Sequence, residues 1–349
     1  MTTIDSRWLW SSIGIALSLI LSVPVPLAAA DDVLETFKIK QRYWRVAFDS
    51  TGKLIIGVRS EGIGVRSKGI AEVMEIASGK ILGSVIGHSP APHPFFKSEP
   101  AQVWMTDATM NPDGTMLATT GTDGVVVLWN WKTGKEKQRL EGHKVHVWRV
   151  VFSPDGKTIA TGGHNGDVKL WDIESGKCSA TLTGHKMYIK QMAFSRDGRW
   201  LATGDYGAGA TVIAWNVAKS EQQHKWLTRS NAYSLAFSAD SKRLACGTSY
   251  DGYVWDMETG KQLWYSRGEH VSAVILVGFL DSETIVTGSQ DQLVYRDLNK
   301  KGELIAKRRI HQPGGDDWDS AAVSPDLRLL ALPRSNENVI RLIEIPLKK

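Results

Sequence analysis

The sequence predicts an all-β chain: a single seven-bladed β-propeller built from four-stranded antiparallel blades. Three observations lead there. A Ser-Pro-Asp-Gly type of turn recurs, as in "FSPDGKTIATGG" from Phe152 and "FSRDGRWLATGD" from Phe194. The apolar residue before each turn (Phe48, Met110, Phe152, Phe194, Phe237, Phe279 and Val323) repeats at spacings of 62, 42, 42, 43, 42 and 44. Short alternating apolar runs separate the turns, which is the period of a half-buried strand.

The elements follow in chain order. "MTTIDSRWLW" carries Arg7, "SSIGIALSLILSV" is apolar, and "PVPLAAADD" ends in Ala28-Ala29-Ala30. This order of charged head, apolar run and small-residue site predicts a signal peptide over 1–30 and a propeller over 31–349. Asp5 offsets Arg7. Retention as an anchor is the rival reading, but Pro24 and Pro26 interrupt the apolar stretch, and a span needs about 20 apolar residues in succession. The expected location is therefore the periplasm, the cell envelope or the exterior, with no membrane span after cleavage. Segment 1–30 holds one Arg and one Asp, so the net charge of +5 survives its removal. That charge is spread thinly, without the dense basic clusters of a nucleic-acid footprint, and nucleic acid is not an expected partner.

Blade one is the most altered copy. "RSEGIGVRSKGI" lengthens its second hairpin, and "HSPAPHPFFKSEPAQ" lengthens its link to blade two, exposing Phe95 and Phe96 as candidate contacts. Such insertions in repeat folds often fall on the binding face, although the two phenylalanines could equally cap the groove between blades. Blade three reads most clearly: "VWRVVFS", "TIATGG" and "DVKLWDI" are successive strands, and Ser175-Gly176-Lys177 turns the chain into the outer one. A single blade cannot bury both faces, so a closed ring is required. Cys178 and Cys246 fall two blades apart, which argues against a disulfide.

The stretch "EGHKVHVWRVVFSPDGKTIATGGHNGDVKLWD", with Gly142-His143 at one end and Trp171-Asp172 at the other, resembles the WD-repeat (WD40) family, and the resemblance covers about residues 33 to 349. It implies that the N-terminal segment completes the last blade. "VIRLIEIPLKK" leaves no room for an outer strand, whereas "VLETFKI" from Val33 has the pattern to supply one. It also implies a hydrogen-bonded His, Ser/Thr, Asp and Trp set in each blade. The sets are His88, Thr119, Asp123 and Trp129 in blade two; His143, Thr161, Asn165 and Trp171 in blade three; and His185, Thr203 and Trp215 in blade four. The lengthened turn "DYGAGAT" leaves the blade-four acid open. Blade five offers Asp251 and Trp255 with Cys246 in the Ser/Thr place, and blade six has His270, Thr287 and Asp291 with Arg296 where Trp belongs.

A His–Asp–Thr trio also looks like a hydrolase triad. Its recurrence at packing positions points to structure, since a catalytic set would occur once, beside an open pocket. His143, His146 and His164 could meet at one rim, but His143 is committed to its blade, and two ligands are too few for zinc. No cofactor motif occurs, and none is expected.

Loops on a rigid propeller carry its function. In WD repeats the residue six before the anchor lies on the top rim: Arg42, Trp104, His146, Tyr188, Asn231, Ala273 and Asp317. His164 and Thr122 should join that face. The expected function is a non-enzymatic scaffold, monomeric, that binds a protein or peptide through the top rim. The alternative is an enzyme or small-ligand binder with its site in the central channel.

Overall fold

The computed structural model describes residues 33–38, 43–61, 68–88, 103–207, 209–270, 272–289, 292–309, 321–334 and 339–345. Seven four-stranded antiparallel sheets make up the chain. Their inner strands are Arg45–Phe48, Met105–Met110, Val147–Phe152, Ile189–Phe194, Ser234–Phe237, Leu276–Phe279 and Ala322–Val323. Each ends on the apolar anchor read from the repeat, because the turn that follows is built by the same short-range bonds. In blade three the Ser153 hydroxyl donates to Asp155 at 2.5 Å and accepts from the Thr158 N–H at 2.9 Å. The Ser153 hydroxyl and the Lys157 N–H hold the Asp155 carboxyl below its ordinary range. Asn111 and Asp49 do the work of this serine in blades two and one, accepting from Met116 N–H and Leu54 N–H at 2.8 Å. Any short side-chain acceptor at that place can close the turn.

The sheets stack around the ring through seven apolar clusters, one between each neighbouring pair. Ile56, Val73 and Val85 of blade one meet Met105, Leu117 and Trp129 of blade two. At the junction of blades seven and one, Tyr43, Val46 and Ile55 pack on Ala331, Ile340 and Leu342. A blade therefore has no core of its own: its apolar faces are buried only between neighbours.

The last blade takes its outer strand from Val33–Lys38, which pairs antiparallel with Val339–Glu344 in register Phe37↔Ile340 and Lys38↔Val339. The sheet order in that blade runs from this strand inward to Ala322–Val323, so Val339–Glu344 is paired on both sides and the last blade has four strands like the others. Blade one carries long second and third strands, Leu54–Glu61 and Lys68–Glu75. Buried between them, Arg59 forms an ion pair with Glu72 at 3.0 Å, and the Tyr43 hydroxyl donates to the same carboxylate. Residues 62–67 of that hairpin, the interblade link with Phe95 and Phe96, the rim positions Arg42 and Asp317, Asp291 and the segment 1–32 lie outside the described residues. Cys178 is exposed on the outer strand of blade three and Cys246 is buried in blade five, both as free thiols.

Candidate functional site: the aromatic top rim of blades three and four

Four histidines organise the blades: His88, His185 and His270 are buried and His143 is partly buried. In blade two, His88 Nδ1 lies 2.9 Å from Asp123 and its Nε2 lies 2.9 Å from the Thr119 hydroxyl, which accepts the Trp129 indole N–H at 2.9 Å. A carboxylate can only accept and an indole can only donate. The direction is therefore fixed: indole to hydroxyl, hydroxyl to Nε2, Nδ1–H to carboxylate. Every polar atom is satisfied, and none is poised to attack a substrate.

Blade four repeats the arrangement with an acid that the sequence left open. His185 Nδ1 faces Asp205 at 3.1 Å and Thr211 at 2.9 Å, while Nε2 and Trp215 share Thr203. Burial would raise the Asp205 carboxyl, but the bonds from His185 and the Thr211 backbone outweigh it and hold the group low. Blade three departs from expectation. His143 Nε2 bonds Thr161 at 2.7 Å and Trp171 donates to the same hydroxyl at 2.8 Å, but Asn165 does not join them. Its amide turns to Asp167 at 2.6 Å, because Asp167 stands where blade two has Val125 and attracts it. Burial, with a smaller push from Lys169, lowers His143 from 6.5 to about 3, so it stays neutral. In blade five, Trp255 stacks on Trp226 at 4.8 Å and Tyr253 at 5.3 Å, and Asp251 accepts from the Gly268 N–H at 2.9 Å. In blade six, His270 bonds Thr287 at 2.9 Å and Ser289 at 2.7 Å.

These scaffolds set the height of the rim. The Thr122 N–H donates to Trp104 O, His164 to His146 O, and Tyr206 to Tyr188 O, at 2.9, 2.8 and 3.1 Å. Blades two, three and four thus each present a matched pair at the top, one residue entering the inner strand and one leaving the second strand. The rings of neighbouring pairs then meet. His164 stacks on Tyr188 of the next blade at 5.5 Å and 3°, and Tyr188 stacks on Tyr206 at 4.8 Å and 18°. Trp148 lies against His164 and Tyr188 at 6.0 and 5.8 Å and donates its indole N–H to His164 Nδ1 at 2.9 Å. That bond requires His164 Nδ1 to be unprotonated. His146 borders the cluster, 5.8 Å from the His164 ring.

The cluster leans over the mouth of the central channel, where Trp44, Thr106, Trp148 and Lys190 line a hollow of about 270 Å³. Lys190 lies over Tyr206 and Tyr233 at 5.9 and 5.3 Å. Deeper in, Arg45 pairs with Asp107 at 3.0 Å, and the Val150 N–H donates to the second Asp107 oxygen at 3.2 Å. Among the described residues, no group of three or more His, Cys, Asp or Glu side chains could hold a metal ion. His143 is spent on Thr161, so only His146 and His164 meet on the rim.

The rim residues read from the sequence are distributed unevenly. His146, His164 and Tyr188 come together. Trp104 is 48% exposed but has no ring partner among the described residues. Asn231 is turned inward, accepting from Gly207 N–H at 2.6 Å and donating to the Tyr233 hydroxyl, so it braces the blade-four turn. Trp148, Lys190 and Tyr206 were missed. Trp148, Lys190 and Trp44 sit four residues before their anchors, one alternation below the rim. Tyr206 is the blade-four equivalent of His164, a position the long turn disguised.

Residues 96–130, 134–172, 176–216 and 221–256 match the WD domain, G-beta repeat. These stretches end at the third strands of blades two to five, and the last three each begin with the outer strand of the preceding blade. No curated protein matches. Among solved structures, a chain of a structure titled "Crystal Structure of Mitotic Checkpoint Complex" superposes with a TM-score of 0.72 at 16% identity, covering 98% of this chain and 99% of that one. At that identity the likeness is one of fold.

Proposed function

We propose that this seven-bladed propeller, four of whose blades are WD40 repeats, is an exported, non-enzymatic and monomeric platform that binds a protein or peptide through its top rim. WD40 propellers typically bind protein partners, and the solved chain of like fold comes from a protein complex. The observation that carries the reading is the stack His164–Tyr188–Tyr206 with Trp148 beside it. Aromatic side chains are the types that dominate binding hot spots. These rings pack on one another and Trp148 is bonded to His164, so a partner would meet a surface that loses little side-chain entropy on binding. Blades two, six and seven offer no comparable surface among the described residues. The signal-like segment 1–30 supports export, and the same partner would then be met outside the cytoplasm.

The test is a comparison of crosslinked partners from the native cell envelope. Wild type is set against Tyr188→Ala/Tyr206→Ala, with Trp104→Ala as the off-cluster control. Loss of the same partners from the double variant alone supports the reading. Equal recovery by all three proteins rules this surface out, and a mature chain found in the cytoplasm rules out export.

A further inference from the structure

The strand-three tryptophans of blades two, three and four lie on the glycine before each histidine. A Cβ on Gly87 would come within 2.5 Å of the Trp129 ring, and the same pairing joins Gly142 to Trp171 and Gly184 to Trp215. Blade six has exchanged both members. Glu269 stands before His270 and Arg296 replaces the tryptophan, so an indole on glycine becomes a guanidinium on a carboxylate. Arg296 Nε donates to Glu269 at 2.9 Å, a second guanidinium nitrogen bonds the other carboxylate oxygen, and Nη1 reaches Gly302 O at 2.6 Å.

Beside this pair lies an open recess of about 510 Å³ on the outer flank between blades five and six, lined in part by Trp264, Arg267, Lys301 and Lys307. Among the described residues, four cations face it and Glu269 is the one carboxylate in its lining. Glu269 is already taken: its side chain is 7% exposed and serves both Arg296 and Lys307, the latter at 3.5 Å. Asp251, which is not in the lining, accepts from the N–H of the lining residue Gly268, and the exposed Glu303 pairs with Lys300 at 3.9 Å. Trp264 forms one wall, 6.0 Å from the Arg296 guanidinium, and its indole N–H has no hydrogen-bond partner among the described residues. Gly302, at φ +80°, lets this wall exist, since a Cβ there would fall 2.1 Å from the indole.

The recess thus offers surplus positive charge, an unengaged N–H donor and a flat apolar wall. Arginine and an indole N–H suit a tetrahedral oxyanion, and a phosphoryl group carrying about −1.5 to −2 charges matches the surplus. We propose that this flank between blades five and six binds a phosphoryl group. The proposal does not depend on the rim reading.

The experiment titrates inorganic phosphate into the folded protein by calorimetry, with sodium chloride adjusted to constant ionic strength and acetate as a parallel arm. Three proteins are compared: wild type, Arg267→Gln/Lys301→Asn, and Lys144→Gln/Lys186→Gln, which removes the same charge from the exposed top loops. The altered residues at the site are exposed, and Asn tolerates the positive φ of 56° at position 301, so melting temperatures should agree. Saturable phosphate binding that weakens about tenfold in the first variant and is unchanged in the second supports the site. Absence of saturable binding, or equal weakening in both variants, overturns it. Acetate binding as tightly as phosphate overturns the phosphoryl assignment.

Discussion

In blade two an indole lies on a glycine and donates to Thr119; in blade six, at the same place, a guanidinium lies on Glu269 and Thr287 keeps only its histidine. The strands around these two contacts pair alike. What the ring requires there is a filled contact with its polar atoms satisfied, and two chemistries meet that need. The difference lies in exposure to the outside. The tryptophan contact is dry and closed, whereas the ion pair sits beside a recess that solutes can enter. Blade six, which holds this exchange, falls outside the matched repeats.

The largest effect expected is on the premise that blades are stable only as a closed ring. Deleting residues 31–40 removes the outer strand of blade seven and should lower the melting temperature by about 10 °C or more in calorimetry. An unchanged melting curve would show that the blades do not depend on closure. Next in size is the contact itself. Trp129→Ala should cost about 3–5 kcal/mol in denaturant unfolding, and Arg296→Ala about 3 kcal/mol, because it removes the bidentate partner of Glu269 and leaves that carboxylate to Lys307 alone. The exchange Glu269→Gly/Arg296→Trp rebuilds the blade-two contact in blade six. It should cost less than Arg296→Ala alone, and the idea of interchangeable chemistries fails if it costs more.

The smallest effect separates blade three from blade two. With no carboxylate, His143 is neutral in the folded protein down to about pH 3, while the unfolded chain takes up a proton below 6.5. The folded state binds fewer protons across that window, so stability falls as pH drops from 6.5 towards 3, by up to about 1.4 kcal/mol per unit. Asn165→Asp/Asp167→Val copies the blade-two turn and gives the imidazolium a partner. The acid loss between pH 6.5 and 4.5 should shrink by about 1 kcal/mol. If the loss keeps its slope, His143 is not its source.

The ring was readable because its determinants are local and periodic. Every anchor from Phe48 to Val323 ends an inner strand, since the turn bonds span only two to five residues, as between Ser153 and Thr158. The site was readable only in part, because it depends on which side chains meet across blades. A fixed offset of six found His146 and Tyr188 but passed over Trp148, one alternation lower on the same strand. The insertion "DYGAGAT" hid both Asp205 and Tyr206 by breaking the count after Thr203. Asn165 misled because its neighbour Asp167 competes for the amide, a rivalry that a residue-by-residue match to blade two does not weigh.

The pairing of Val33 with Ile343 has a consequence in time. This strand is synthesised before any complete blade, yet its partner arrives about three hundred residues later. At translation rates of about 5–20 residues per second, it waits some tens of seconds with an unpaired apolar edge. The last event in folding thus joins the earliest and latest parts of the fold, and the nascent chain stays open to chaperones or misplaced pairing until that latch closes.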